Sequence, residues 1–344
     1  MGVRREAIRE GLIDDKELIM DVTIGTGRVR ATIQLAGAMT TAVFNAGSED
    51  EFSPSYIAKW SGWEGDPLLE KLRGDFLCVP FGAAPASAQT LPEEWRGGYN
   101  GPSEWTHGYS ASGPWELLSQ NTESVRLGLT YPESSPVERV ERLITCEDDG
   151  VEYIDTIIMR QTADLPLGLH PILRLPETPG GARLVLPKAR SFHSLPIDSG
   201  TSVLKVGAIY EDAAAAPRAD GGTLDLTRLP LDGENVDEIV LMVEPADPKV
   251  TLVNEVEGYE VSIEWDPKFL EHCLLWVSNR GRTAQPWGGT NLCLGVEPVT
   301  SAFDFGQGVS AGPNPLNAEG IATSVHLEAG ERYEIRHRMT GKRI

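Results

Sequence analysis

The sequence is poor in cations, in cysteine and in long apolar runs. Its 344 residues hold 30 Lys and Arg against 51 Asp and Glu, a formal net charge of -21. Nucleic acid and anionic membrane surfaces must be neutralised by Lys and Arg, so neither suits this chain as a partner. A small-molecule ligand suits it better. The four cysteines, Cys78, Cys146, Cys273 and Cys293, are far apart and form no Cys-x-x-Cys pair, which argues against a zinc ribbon or a dense disulfide framework. Free, buried thiols follow. His272-Cys273 is too sparse for a metal, and Gly25-Thr-Gly27 lacks the third glycine of a dinucleotide site, so neither cofactor nor metal is expected. No apolar stretch approaches bilayer-spanning length, no Asn-x-Ser/Thr acceptor occurs, and the first ten residues carry charges where a signal peptide has its apolar core. The expectation is a cytoplasmic protein, monomer or homodimer.

What the sequence has is alternation. Val29, Ala31, Ile33 and Leu35 alternate with Arg28, Arg30, Thr32 and Gln34, the period of a half-buried strand. The same period recurs at Val125 to Tyr131 and at Tyr259 to Trp265. Val325 with Leu327 and Tyr333 with Ile335 flank Glu328-Ala-Gly-Glu331, which predicts a hairpin. No long amphipathic helix separates the strands, so a large antiparallel β-sandwich fits and a parallel α/β sheet does not. Residues 1–27 read as an N-terminal arm with a short charged helix over Val3 to Ile19, and 28–344 as one domain.

Five stretches carry polar groups in suggestive surroundings. In Leu292-Cys-Leu-Gly-Val-Glu297-Pro298 an apolar strand delivers a carboxylate just before proline, where the strand is predicted to end. An apolar wall disfavours the ionised form and lifts a carboxyl towards general-base range. In Leu167-Gly-Leu-His170-Pro171 one imidazole sits in an apolar segment, so Glu297 and His170 can share one proton near neutrality. Arg73-Gly74 opens a strand closing on Pro80-Phe81-Gly82, with a guanidinium able to donate to two sugar hydroxyls. Trp105-Thr-His107-Gly-Tyr109-Ser offers an aromatic face beside an imidazole. Asp237 opens an apolar run and can accept from adjacent hydroxyls, as can Asp232 or Glu238. Plainer readings stand beside these: a solvated strand-end Glu, a core His170, a loop His107 bonded to backbone, and a surface Arg73 beside a turn.

Taken in order, Arg-Gly before Pro-Phe-Gly, His-Gly-Tyr-Ser before Pro114-Trp-Glu-Leu, Leu-Gly-Leu-His-Pro-Ile-Leu-Arg-Leu-Pro and Leu-Gly-Val-Glu-Pro resemble the aldose 1-epimerase (galactose mutarotase-like) family. The likeness runs from about Val29 to the C-terminus and leans to the broader branch that includes hexose-6-phosphate mutarotases. It implies an all-β super-sandwich with an open sugar-binding cleft, no metal, and interconversion of α and β anomers. Matched motif by motif, Glu297 is the implied general base and His170 the general acid. His107, Arg73, Asp237 and Trp105 are the implied substrate contacts, with Trp95 or Trp287 as further stacking surfaces.

Two departures bear on the substrate. Ile172 and Leu173 replace an aromatic pair common after His-Pro, and Asp75 replaces a second glycine, where it would add a hydroxyl acceptor or crowd the cleft. A phosphate would need cations, and Lys71, Arg73 and Arg96 are the nearest cluster. The competing readings are a carbohydrate-binding or regulatory protein without catalysis, and a glycosidase pairing Glu297 with Asp304 or Asp237.

Overall fold

The computed structural model describes residues 21–60, 63, 65–70 and 72–344. The helix expected over Val3 to Ile19 lies outside the described residues, and so does Lys71. Asp21–Gly25, the last part of the expected arm, pairs as a strand with Val29–Gln34, which in turn pairs with Thr40–Phe44.

Two large antiparallel sheets form the body. The nine-stranded sheet runs in the order Arg228–Leu229, Ala182–Val185, Lys249–Asn254, Tyr259–Trp265, Arg332–Arg343, Gly150–Met159, Val137–Cys146, Ser124–Thr130, Glu116–Gln120. The eight-stranded sheet runs Ile209–Tyr210, Ser191–Ser194, Val236–Val243, His272–Asn279, Leu292–Thr300, Leu167–Leu169, Leu77–Cys78, with Ile172–Arg174 also paired to Leu292–Thr300. Strict alternation assigns each face. Leu77, Leu167, Leu169, Val240, Met242, Leu275, Val277, Leu294 and Val296 join the core between the sheets. Their neighbours Phe76, Cys78, Ile172, Leu241, Val243, Leu274, Trp276, Cys293 and Val299 join a second apolar cluster on the opposite face of the eight-stranded sheet. A strand buried on both faces reads as a continuous apolar run, which is how His272–Asn279 and Leu292–Thr300 look in the sequence. All four cysteines are free and buried. Among the described residues no helix is long and apolar enough to cross a membrane.

Two expectations fail. The strand predicted to stop at Glu297 continues to Thr300, with Pro298 in register opposite Cys273. The Val296 amide donates to Pro171 O at 2.9 Å, and a period of two turns the Pro298 nitrogen to that same side. There it meets the break between Leu167–Leu169 and Ile172–Arg174, where the ladder asks for no donor. The predicted hairpin is also absent: Val325–Leu327 pairs with Ala163–Leu165, whereas Arg332–Arg343 pairs with Gly150–Met159 and Tyr259–Trp265. Glu328 to Glu331 does make a turn, but it carries the chain from one sheet to another.

Candidate active site

Strand alternation sends Asp237, Trp276 and Glu297 to the same face of the eight-stranded sheet, and the chain turning past Leu169 brings His170 there too. The Glu297 carboxyl folds over Gly295, where a Cβ would overlap Oε1; only glycine leaves that space open. Its Oε1 lies 3.4 Å from His170 Nε2. Both residues are buried, Glu297 at 1% exposure and His170 at 5%. His170 is fixed from behind: its amide donates to Phe76 O at 2.9 Å, and its ring stacks on Phe76 at 4.6 Å and 19°. Trp276 presents an edge at 5.9 Å.

His107 reaches the pair from the loop after Trp105. Its φ of +55°, a left-handed conformation that costs a non-glycine residue energy, aims the side chain inward. The His107 ring stands edge-on to His170 at 4.9 Å and 87°, and 4.9 Å from Phe81. Asp237 accepts from Trp276 Nε1 at 3.0 Å and from Arg282 Nε at 2.9 Å. Arg282 Nη2 lies 2.8 Å from the same oxygen, and its guanidinium sits 5.0 Å from both the Trp276 and Trp287 rings. Trp60 packs edge-on against Trp287 at 4.8 Å. The Arg282 side chain keeps 35% exposure, so the cluster meets solvent there.

Burial sets the protonation preferences. It pushes the Glu297 carboxyl well above the ordinary range, helped by Asp304 and Asp237 and opposed by Arg282. Asp304 is pushed up by burial as well. The His170 imidazole is driven well below its ordinary value by burial and by His107, and His107 itself is pulled down to about 4 by burial and Arg282. Both effects disfavour charge and favour a protonated carboxyl beside a neutral imidazole. At this site three buried polar atoms have no hydrogen-bond partner, His107 Nδ1, His170 Nδ1 and Asp237 Oδ2; a second group, on Arg142, Tyr153, Asp155 and His337, lies in the core between the sheets. Buried polar atoms are nearly always satisfied, so the three at this site call for a partner of their own.

The structure therefore brings together Glu297, His170, His107 and Asp237. Arg73 is half-buried and directed to Gln34, whose amide oxygen accepts from its guanidinium once the amide is oriented to satisfy both groups. Trp105 is half-buried against Tyr109 at 4.9 Å. Trp95 packs on Phe303 and Phe305. Of the alternatives to Asp237, Asp232 is exposed, and Glu238 faces the other way, accepting from Ser202 and from the Val203 amide at 2.7 Å. Asp75 neither lines nor crowds the site. Period two turns it into the space between the sheets, opposite Phe76, where it pairs with Arg142 and His337. Arg96 Nε is taken up by the Ala88 and Leu91 carbonyls at 3.1 and 2.8 Å. The residue that sequence reasoning missed is Arg282; its only local signal is a second arginine, Arg280, two positions earlier and Trp287 in the same loop. Among the described residues no group of three or more His, Cys, Asp and Glu side chains is arranged to hold a metal.

Solved structures place this architecture in a known class. The chain superposes on a candidate aldose 1-epimerase from Escherichia coli K12 with a TM-score of 0.67 and 16% identity, over 94% of this chain and 99% of that one. A galactose mutarotase-like protein from Lactobacillus casei gives 0.58 and 16%, over 94% and 100%. An aldose epimerase homologue from C. elegans gives 0.59 and 15%, also over 94% and 100%. No protein-family model and no curated protein matches the sequence. The chain has the galactose mutarotase-like β-sandwich fold. Identities this low establish the fold alone, and activity has to be argued from the side chains.

Proposed function

We propose that the protein is an aldose 1-epimerase, interconverting the α and β anomers of an aldose by acid-base ring opening and closure. The observation that carries this reading is the 3.4 Å approach of Glu297 and His170 beside three unpartnered buried polar atoms. In a cyclic hemiacetal the C1 hydroxyl must lose a proton while the ring oxygen gains one. With the shared proton on His170, the Glu297 carboxylate takes the C1 proton and the imidazolium gives its own to the ring oxygen. The C1–O5 bond breaks and an open-chain aldehyde forms, leaving Glu297 protonated and His170 neutral. Rotation about C1–C2 presents the other carbonyl face, and closure reverses both transfers, so each group returns to its starting state. Arg282 favours the carboxylate that the first step needs, against the bias of burial. Asp237, Arg282 and His107 would hold the sugar hydroxyls, and Trp287 its apolar face.

Around Arg282 stand three carboxyls, Asp237, Glu297 and Asp304, a setting that suits an uncharged sugar better than a phosphate. Saturation-transfer NMR between anomers of glucose, galactose and their 6-phosphates tests the proposal. Exchange should be faster for at least one sugar, and Glu297→Gln or His170→Asn should each lower it by roughly a hundred- to ten-thousand-fold while binding persists. Unchanged exchange in Glu297→Gln removes it as the base. Asp304, close enough to raise Glu297, is the second carboxyl a glycosidase would use, and hydrolysis of an aryl glycoside would favour that reading. Sugar binding with no rate enhancement would favour a binding protein.

A further inference from the structure

Behind the site, between the two sheets, lies an ionic cluster that contributes no group to the reaction. Asp75, Arg142 and Asp155 have fully buried side chains, as does His337. Asp75 is paired with Arg142 and sits 2.8 Å from His337 Nε2, and Arg142 Nε lies 3.3 Å from Asp155 Oδ1. Tyr153 stacks on His337 at 4.3 Å and 8°, and the Arg142 guanidinium stands 4.8 Å from the Tyr153 ring. Burying such charges is expensive, and apolar residues of similar volume commonly serve a core as well or better. A cluster like this therefore calls for a role other than stability.

Its position suggests one. Arg142, Tyr153, Asp155 and His337 all belong to the nine-stranded sheet, on Val137–Cys146, Gly150–Met159 and Arg332–Arg343. Asp75 alone comes from the opposite layer. Asp75 bridges to Thr40 and lies two residues before a slight strand, Leu77–Cys78, which is two residues long and ends the eight-stranded sheet. Just before it, Gly74 turns with φ +56° and is packed so closely on the Thr40 carbonyl that no Cβ fits. The segment is held by reciprocal 2.9 Å bonds between the Asp75 and Thr40 backbones, and across the layers by the Asp75 carboxylate. The next residue, Phe76, projects to the opposite face, carries the His170 ring at 4.6 Å, and accepts the His170 amide at 2.9 Å.

We propose that Asp75, clamped by Arg142 and His337, is a positioning residue that fixes Phe76 and through it the His170 imidazole against Glu297. The clamp ties a short edge strand to the rigid sheet opposite, and a side chain rising from the other face of that strand inherits the rigidity. This inference rests on the mutarotase reading for its kinetic test only.

The variants are Asp75→Asn and the triple Asp75→Asn/Arg142→Met/Asp155→Asn. The single change leaves Arg142 poorly compensated and can unfold the chain; the triple removes the formal charges together, so it should fold. In the folded triple, kcat for anomer exchange should fall at least about tenfold while KM stays within about twofold, because geometry is lost and the binding groups are not. Hydrogen exchange at the His170 amide should quicken, and the imidazole ¹⁵N shifts of His170 should change. A folded triple with native kcat and unaltered His170 signals overturns the proposal. If the native chain does not exchange anomers, the enzymatic reading falls on its own account. The His170 amide and ring signals then decide the clamp alone: a change upholds it and no change refutes it.

Discussion

Gly295→Ala would test the site with the least chemistry. The substitution deletes no acid, base or hydrogen-bonding group. Gly295 has no positive φ, so alanine meets no backbone strain there, and replacing a strand glycine should itself gain roughly 0.5–1 kcal/mol through the unfolded chain. Against this, the new Cβ overlaps Glu297 Oε1 and comes within 3.1 Å of Trp276 Cβ. The tryptophan contact asks a buried neighbour to shift slightly, and overpacking of this kind costs about 1–3 kcal/mol. The carboxylate contact is different in kind, because the end of a flexible side chain relieves it by rotating away. Glu297 must retreat by roughly 1 Å to regain van der Waals distance. That distance is large against the 3.4 Å gap to His170, and a misplacement of about 1 Å can cost on the order of a hundredfold in rate. The expected result is a chain whose urea midpoint is lowered only modestly, whose sugar affinity is preserved, and whose anomer exchange drops by about two orders of magnitude. A Gly295→Ala protein exchanging anomers at the native rate would refute the claim that Glu297 acts from its position over Gly295.

Two further outcomes follow from the electrostatics. The folded-state pKa of Glu297 is raised by burial, so its contribution to stability is fully present below the ordinary glutamate range, near about pH 4, and is lost as pH rises through the folded value. Glu297→Gln should therefore gain Tm over the native protein progressively as pH rises above about 4 in a calorimetric series; a difference independent of pH would contradict the burial effect. Arg282→Met removes a guanidinium that opposes that effect and leaves Asp237 without its charged partner. It should weaken sugar binding, by less than the roughly 2–5 kcal/mol of a fully buried charge pair because Arg282 keeps 35% exposure, and lower exchange at neutral pH; titration calorimetry and NMR would reveal an unaltered protein if the assignment is mistaken.

The sandwich was legible because its strands announce themselves locally. Arg28 to Leu35 alternates residue by residue, and the observed burial follows it from Val29 to Ile33, with Gln34 buried against the pattern. The proposed acid and base stand out in the sequence for a similar reason, as ionisable groups in otherwise apolar stretches. What stayed hidden depends on distant partners. Asp75 reads as a cleft residue until Arg142 and His337, 67 and 262 positions away, turn out to claim it. Arg282 sits in a loop with no period to place it, and only the folded sheet brings Asp237 within its reach. Glu328 to Glu331 has sound turn chemistry, yet the strand before it pairs elsewhere, because sheet pairing is decided by the surrounding layers and not by the connecting turn.

The interleaving of the eight-stranded sheet has a temporal side. Leu167–Leu169 and Leu292–Thr300 are neighbours in space though far apart along the chain, and Val236–Val243 with His272–Asn279 must slot in beside them. Such non-local pairings are slow to form. No nascent piece that lacks Leu292–Thr300 can assemble the proposed proton relay, so during synthesis or refolding the pairing of Glu297 with His170 would lag behind the first appearance of β-structure and serve as a clock for completion of this sheet.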